Sequence, residues 1–265
     1  MTAAIVDFHN HLVPGVDDGA ADAAESKEGL RAMRAEGVGA LIVTPHVDAS
    51  LTCRAGDLEA RLAELDAGWE NLVALASAEE PGLRLERGVE LKLDTPEPDL
   101  SDPRLRLAGT RFILVEFPHL VLPPHSDHAL SRLRDLGWIP IVAHPERYAG
   151  LEQRLELLEK WRDAGAYLQV NHGSFFGRYG RRAQQVASIL LERGWIDYLA
   201  SDFHARGTPR IQECREMLLE MDGAEHAQLL METNPHRLLD GEHPLPVPPI
   251  RTRRGLWSRI AALFR

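Results

Sequence analysis

A chain of 265 residues, 44% hydrophobic and 26% charged, has the balance of a globular protein, long for one average domain but within the range of a single α/β barrel. Its formal net charge of −10 argues against duplex nucleic acid as the partner, because that binding depends on Lys and Arg neutralising phosphates. With Cys53 and Cys214 as its two cysteines, the chain cannot build a disulfide framework or a cysteine-rich zinc site, and a reducing cytoplasm is the simplest compartment.

The first residues lack the basic segment and apolar stretch of a signal peptide, and no apolar run approaches the roughly 20 residues of a membrane-spanning helix. Seven short apolar runs are predicted as strands: 4–8, 40–44, 84–91, 112–117, 139–143, 167–171 and 197–201. Between them, apolar residues return every three or four positions over 25–36, 58–76, 129–136, 154–164, 182–193 and 211–221, which predicts helices. Gly37, Gly137, Gly165 and Gly194 follow helical stretches as left-handed C-terminal caps should. Strands alternating with helices imply βαβ units and a parallel sheet, and about seven units point to a barrel, with an open doubly wound sheet as the alternative.

After Asn234-Pro235 the composition changes to a proline-rich strip. Pro244 to Pro249 reads as an extended connector without a core of its own. In the tail, 251–265, Leu256, Trp257, Ile260, Leu263 and Phe264 share a helical face, with Arg251, Arg253, Arg254, Arg259 and Arg265 supplying positive charge. The first expectation for this tail is an amphipathic helix docked on its own domain or on a second subunit of an oligomer. The alternative is peripheral contact with the inner membrane surface or an acidic partner. The expected division is therefore a barrel over 1–243 and a connector with a basic tail over 244–265.

Chemistry gathers where strands should end. In Asp7-Phe8-His9-Asn10-His11, residues two apart share a face, so His9 and His11 can hold one metal ion while Phe8 packs away from it. Asp7 suits a supporting carboxylate beside a ligating imidazole. His46, Glu90, Glu116, His144, and the Asp202/His204 pair likewise stand at predicted strand ends, which in a parallel barrel open on one rim. Imidazole and carboxylate ligands without thiolate suit Mn, Fe or Zn better than Cu(I). Neither Cys53 nor Cys214 has the Arg six positions on that a cysteine phosphatase needs; those places hold Glu59 and Glu220. No Walker-type loop is present.

The ordered motifs Asp7-Phe8-His9-Asn10-His11 through Val16-Asp17-Asp18-Gly19, Thr44-Pro45-His46, Gly88-Val89-Glu90, Glu116-Phe117, Ala143-His144-Pro145-Glu146-Arg147-Tyr148 and Ser201-Asp202-Phe203-His204 closely resemble the PHP (polymerase and histidinol phosphatase) superfamily. Within it they resemble the bacterial capsule and exopolysaccharide tyrosine phosphatases of the CpsB/YwqE type, from about residue 5 to residue 240. The resemblance implies a distorted (β/α)7 barrel that holds three metal ions, often manganese, and hydrolyses phosphotyrosine. Carried over, the ligands are His9, His11, Asp18, His46, Glu90, Glu116, His144, Asp202 and His204, with Glu90 bridging; Asp17 is the alternative to Asp18. Arg147 resembles the phosphate-holding arginine, and Arg206 or Arg210 is the second clamp, Arg206 first.

The expected mechanism is in-line attack on phosphorus by a hydroxide bridging two metal ions, with Arg147 and Arg206 holding phosphoryl oxygens and His204 or His46 assisting the leaving group. The implied substrate is the tyrosine-rich tail of a bacterial polysaccharide-assembly kinase. The alternatives are a phosphoesterase of a small metabolite or nucleotide, and a non-catalytic partner that binds a kinase or the membrane. His119, His125, His128, His172, His226, His236 and His243 are expected as ordinary surface or loop residues, with His119 the exception to watch because it follows the Glu116 strand closely.

Overall fold

The computed structural model describes residues 4–250, so the basic tail expected over 251–265 lies outside the described residues. Among the described residues nine strand segments form, all paired in parallel: β1 (Ile5–Asp7), β2 (Val38–Val43), β3 (His46–Asp48), β4 (Arg84–Arg87), β5 (Glu90–Lys92), β6 (Phe112–Glu116), β7 (Ile139–Ala143), β8 (Tyr167–Asn171) and β9 (Tyr198–Ala200). Between and after them run helices α1 (Ala23–Ala35), α2 (Ala55–Glu79), α3 (Ser126–Asp135), α4 (Glu156–Asp163), α5 (Gly180–Arg193), α6 (Ile211–Glu220), α7 (Ala224–Gln228) and α8 (Asn234–Leu239). β7 and β8 have the expected bounds, and the four glycine caps all take positive φ.

The strand expected over 84–91 and its neighbour are each broken in two, so the ladder is distorted. Pro45, which has no N–H, separates β2 from β3, and Gly88 separates β4 from β5. Pairing continues across both breaks, through Gly88 N to Val43 O at 3.0 Å and Glu90 N to Pro45 O at 3.1 Å. Gly88 also makes room: a Cβ there would lie 2.8 Å from the Leu107 side chain. β1 pairs with β2 and β2 with β4, while β3, β5, β6, β7, β8 and β9 follow in order. Beyond β9, Asn10 bridges Phe203 in parallel, backed by Asp202 N to His9 O at 2.8 Å and His11 N to Phe203 O at 2.9 Å. The last strand is thus joined to the first at the C-terminal rim, in keeping with the expected (β/α)7 arrangement.

Because both strand faces are buried, the strands read as nearly continuous apolar runs. Val6, Phe8, Ala40, Ile42, Leu114, Ile141 and Tyr198 form one cluster, and Leu238 and Leu239 of α8 pack into it. Their strand neighbours Leu41, Val43, Ile113, Val115 and Val142 belong to a second cluster shared with the helices, including Leu30, Met33, Leu130 and Trp161. The stretch 224–239 was not among the expected helices; a π-helical turn, Leu229–Thr233, interrupts it and blurs the 3.6-residue period.

The proline strip has no core of its own but is seated on the body. Asn234 brackets Leu245 with two hydrogen bonds, His226 Nε2 meets Pro248 O at 2.9 Å, and Val247 and Ile250 are buried. Among the described residues, no helix is long and apolar enough to cross a membrane.

Candidate metal centre

The rim formed by the strand ends brings the nine expected ligands together. His9 and His11 are fully buried in the loop after β1, and Glu90 is the first residue of β5. Glu90 Oε2 lies 3.2 Å from His9 Nε2, 3.4 Å from His11 Nε2 and 3.2 Å from His46 Nδ1, while its Oε1 lies 2.9 Å from His144 Nε2. One carboxylate therefore faces four imidazoles, the placement a bridging ligand requires. Asp202 Oδ1 stands 3.5 Å from each of His9 Nε2, His11 Nε2 and His204 Nδ1.

Three overlapping groups result, each with ligand atoms within 4.8 Å of one another: His9, His11, Glu90 and Asp202; His11, Asp18, His46 and His204; and His46, Glu90 and Glu116. His144 meets the third group through Glu90 and through Glu116, whose Oε2 is 4.0 Å from its Nε2.

The rings are aimed by Gln169, which the sequence did not single out, and by Asp17, which it offered as an alternative ligand. His9 Nδ1 donates to Gln169 Oε1 at 2.9 Å and His11 Nδ1 pairs with Asp17 Oδ2 at 2.8 Å, so in each neutral ring the Nε2 lone pair points at the centre. His9 Nε2, His11 Nε2 and His46 Nδ1 are buried without a hydrogen-bond partner although carboxylate oxygens stand close by. Lone pairs facing carboxylates repel unless a cation lies between them; this donor set fits hard or borderline divalent ions. Gln169 Nε2 donates to Asn171 Oδ1, and Asn171 Nδ2 donates to Asp202 Oδ2, both at 2.8 Å, so a side-chain chain links His9 to Asp202 from behind.

Electrostatics shows the same demand for positive charge. Burial opposes a charged His9 ring, yet Glu90 and Asp202 outweigh it and carry its pKa up to about 9. Burial likewise opposes charge on Glu90 and Asp202, but the surrounding imidazoles, joined at Asp202 by Arg147, hold both carboxyls well below the usual range. Glu116 goes the other way, pushed up to about 7 by burial and by the charge on Glu90.

Asp17 and Asp18 divide their roles. Asp17, held at about 2 chiefly by its hydrogen bond to His11 working against burial, also accepts from Gly19 N and His46 N. Asp18 is exposed and turns its Oδ1 to within 3.5 Å of His46 Nε2 and 3.4 Å of His204 Nε2. The tight loop needs Gly19, where a Cβ would fall 2.0 Å from His11 O. Asp7 differs from its expectation: it touches no imidazole through a hydrogen bond and instead accepts from Asn10 Nδ2, Ser201 N and Ser201 Oγ, tying the ends of β1 and β9.

A cavity of about 240 Å³ opens on this cluster, lined by the candidate ligands other than His9 and His11 and by Lys92, His119, Leu120 and Arg147. Arg147 donates to Asp202 Oδ2 and stacks its guanidinium 4.4 Å from the Tyr179 ring centre. Arg206 does not line this cavity. Its guanidinium donates to Asp18 O at 3.1 Å and Gly19 O at 2.9 Å, holding the ligand loop from outside, and Arg210 pairs with Glu213 and lies over Phe176. Carbonyl and carboxylate acceptors engage both, so a phosphate clamp at either position would require those contacts to be exchanged. The added cation facing the cavity is Lys92, and His119 joins its wall. His172 and His226 also depart from expectation, both being buried. Cys214 is fully buried and burial pushes its thiol up, so it offers no thiolate.

The family model for capsular polysaccharide synthesis proteins, CpsB/CapC, matches residues 5–240. The chain belongs to the CpsB/CapC family. Within that family, it is 30% identical over 260 residues to the tyrosine-protein phosphatase YwqE of Bacillus subtilis, covering 94% of this chain and 97% of the relative. It is 28% identical over 244 residues to the tyrosine-protein phosphatase CpsB of Streptococcus pneumoniae, covering 89% and 98%. A crystal structure from work on those two proteins, described as unique metal-dependent tyrosine phosphatases, superposes with a TM-score of 0.79 at 28% identity, covering 94% of this chain and all of the other.

Proposed function

We propose that this CpsB/CapC family member is a metal-dependent phosphatase that removes phosphate from tyrosine in proteins, its substrate being the tail of a bacterial polysaccharide-assembly kinase. The observation that carries this reading is the set of three overlapping imidazole–carboxylate groups opening on one cavity beside Arg147. Similarity over nearly the whole chain to proteins named tyrosine phosphatases supports the choice of phosphoester.

His9, His11, Asp18, His46, Glu90, Glu116, His144, Asp202 and His204 would hold three ions, manganese first and iron or zinc as alternatives. Divalent ions bound there supply Lewis acidity, lowering the pKa of water and neutralising phosphoryl oxygens. The chain's own contribution is positioning. Glu90 and Asp202 present charge at a fixed place because Gln169, Asn171 and Arg147 restrain the groups around them. Arg147 keeps one N–H on Asp202 and offers the rest of its planar fork to phosphoryl oxygens, and Lys92 adds charge from the other wall. A phenolate leaves readily, so the site needs no strong acid for it.

The cytoplasm is the compartment in which such a kinase tail would be met. Residues 251–265 are assigned to docking rather than chemistry. Deleting them should leave turnover unchanged, with loss of either membrane association or subunit association identifying the surface they serve.

The test is elemental analysis of the purified protein together with turnover of phosphotyrosine peptide, phosphoserine peptide, histidinol phosphate and a nucleotide, in wild type and His9→Ala. Bound Mn, Fe or Zn and a phosphotyrosine preference that collapses in the variant are expected. Preference for another phosphoester would overturn the tyrosine assignment alone; metal without any turnover would favour a binding protein.

A further inference from the structure

A second and larger cavity, about 390 Å³, lies beside the metal-centre cavity and is lined by Leu93, Asp94, Thr95, Pro96 and Phe117, by Pro123, Pro124, His125 and Ser126, and by the α3 face Ala129 and Arg132. Lys92 and Glu116 face the metal centre, whereas the next residues along, Leu93 and Phe117, face this cavity. Successive side chains leave a strand on opposite faces, so the ends of β5 and β6 form a shared wall. That wall is locked by Leu93 N donating to Glu116 O at 2.7 Å. The loop between β6 and α3 is shared as well: His119 and Leu120 line the metal centre, and Pro123 to Ser126 line the second cavity.

This loop holds three non-glycine residues in the left-handed region: His119 (φ 57°), Leu120 (φ 52°) and His125 (φ 59°). Such backbone is costly and persists where its surroundings impose a shape. The cavity floor is rigid, since Phe117 packs against Trp161 with ring centres 5.5 Å apart and Trp161 Nε1 donates to Ser126 Oγ at 2.9 Å. Arg132 on its edge pairs with Glu97, and Asp94 and His128 add polar groups around an otherwise mainly apolar slot.

We propose that this cavity is a substrate subsite that takes an apolar, preferably aromatic, side chain of the same polypeptide, within three residues of the phosphotyrosine held at the metal centre. The proposal rests on the phosphatase reading. A volume in the range of about 300–1,000 Å³ typical of small-ligand pockets suits a ring, and the walls of proline, leucine and phenylalanine offer flat apolar faces. Continuity selects a substrate chain over a separate small molecule. An extended peptide advances about 3.5 Å per residue, so a few residues carry it from one side of a two-strand wall to the other.

The experiment is a set of phosphotyrosine peptides with small flanking residues and a single Phe placed in turn at each of the three positions on either side. Each is assayed for kcat/KM, and its binding to metal-loaded protein is followed by anisotropy; free phosphotyrosine serves as the small substrate. One position should raise kcat/KM and affinity about tenfold, the gain expected from burying much of a Phe side chain. Ala129→Trp, which fills the slot, should remove that gain while leaving free phosphotyrosine turnover unchanged. Indifference to Phe at every position, or a gain that survives Ala129→Trp, overturns the subsite. If no phosphoester turns over, yet binding keeps both the Phe dependence and its loss in Ala129→Trp, the subsite stands and the phosphatase reading falls.

Discussion

Gln169 Oε1 accepts the Nδ1 proton of His9 at 2.9 Å and thereby turns the opposite lone pair of that ring toward Glu90 and Asp202. A glutamine in the middle of β8 thus aims a candidate ligand that stands 160 residues away in sequence. Gln169→Leu should keep the fold, since the site is buried and the shapes are similar, but lower metal affinity by about 10–100-fold, the usual effect of losing an outer hydrogen bond to a ligand. Metal titration by calorimetry measures it; unchanged affinity would mean that the ring is aimed by packing alone.

Arg147 is expected to act on the phosphate rather than on the metals. Arg147→Lys keeps a positive charge but loses the planar fork, so kcat/KM should fall by about 10²–10³ while bound metal is unchanged. Metal content and steady-state kinetics on the same sample check both halves. A parallel loss of metal would show that the contact with Asp202 is what matters.

Arg206 braces the Asp18 loop through two backbone carbonyls, so Arg206→Ala should loosen the His11–Asp18–His46–His204 group and lower metal stoichiometry. Arg210→Ala, which breaks the pair with Glu213, should leave stoichiometry and turnover near wild type. The two variants compared by elemental analysis decide between the arginines. Full metal with a raised KM in Arg206→Ala would return it to the phosphate.

His172 is fully buried, neither of its ring nitrogens has a hydrogen-bond partner, and burial lowers its pKa to about 3. A depressed folded value means that the unfolded chain binds the proton first, so stability is fully present above the ordinary value of about 6.5 and is lost as pH falls toward 3. This group alone should remove about 2 kcal/mol between pH 7 and pH 5. His172→Leu should flatten that part of the acid limb in denaturant titrations; an unchanged slope would show the ring protonating without cost.

The parallel α/β architecture and the convergence of most candidate ligands on one rim were legible in the sequence because both follow from local pattern. Seven apolar runs alternate with helical periods, and each candidate ligand except Asp18 stands at or just beyond the end of a run, where strand direction alone puts it on the rim; Asp18 came from the family resemblance. The motif Asp17-Asp18 offered two candidate carboxylates but not which way each would turn, since that depends on how the loop folds over Gly19. Only the tertiary structure decided it, by placing Asp17 against His11 Nδ1 and Asp18 between His46 and His204. The same holds for Gln169, Asn171 and Lys92, ordinary strand residues whose roles come from facing other strands, and for Arg206, whose acceptors lie 187 and 188 residues away. Sequence spacing reports which residues share a face of one element. Which faces meet is settled by packing across elements, and there the orientation of a polar side chain follows from the partners that burial forces it to find.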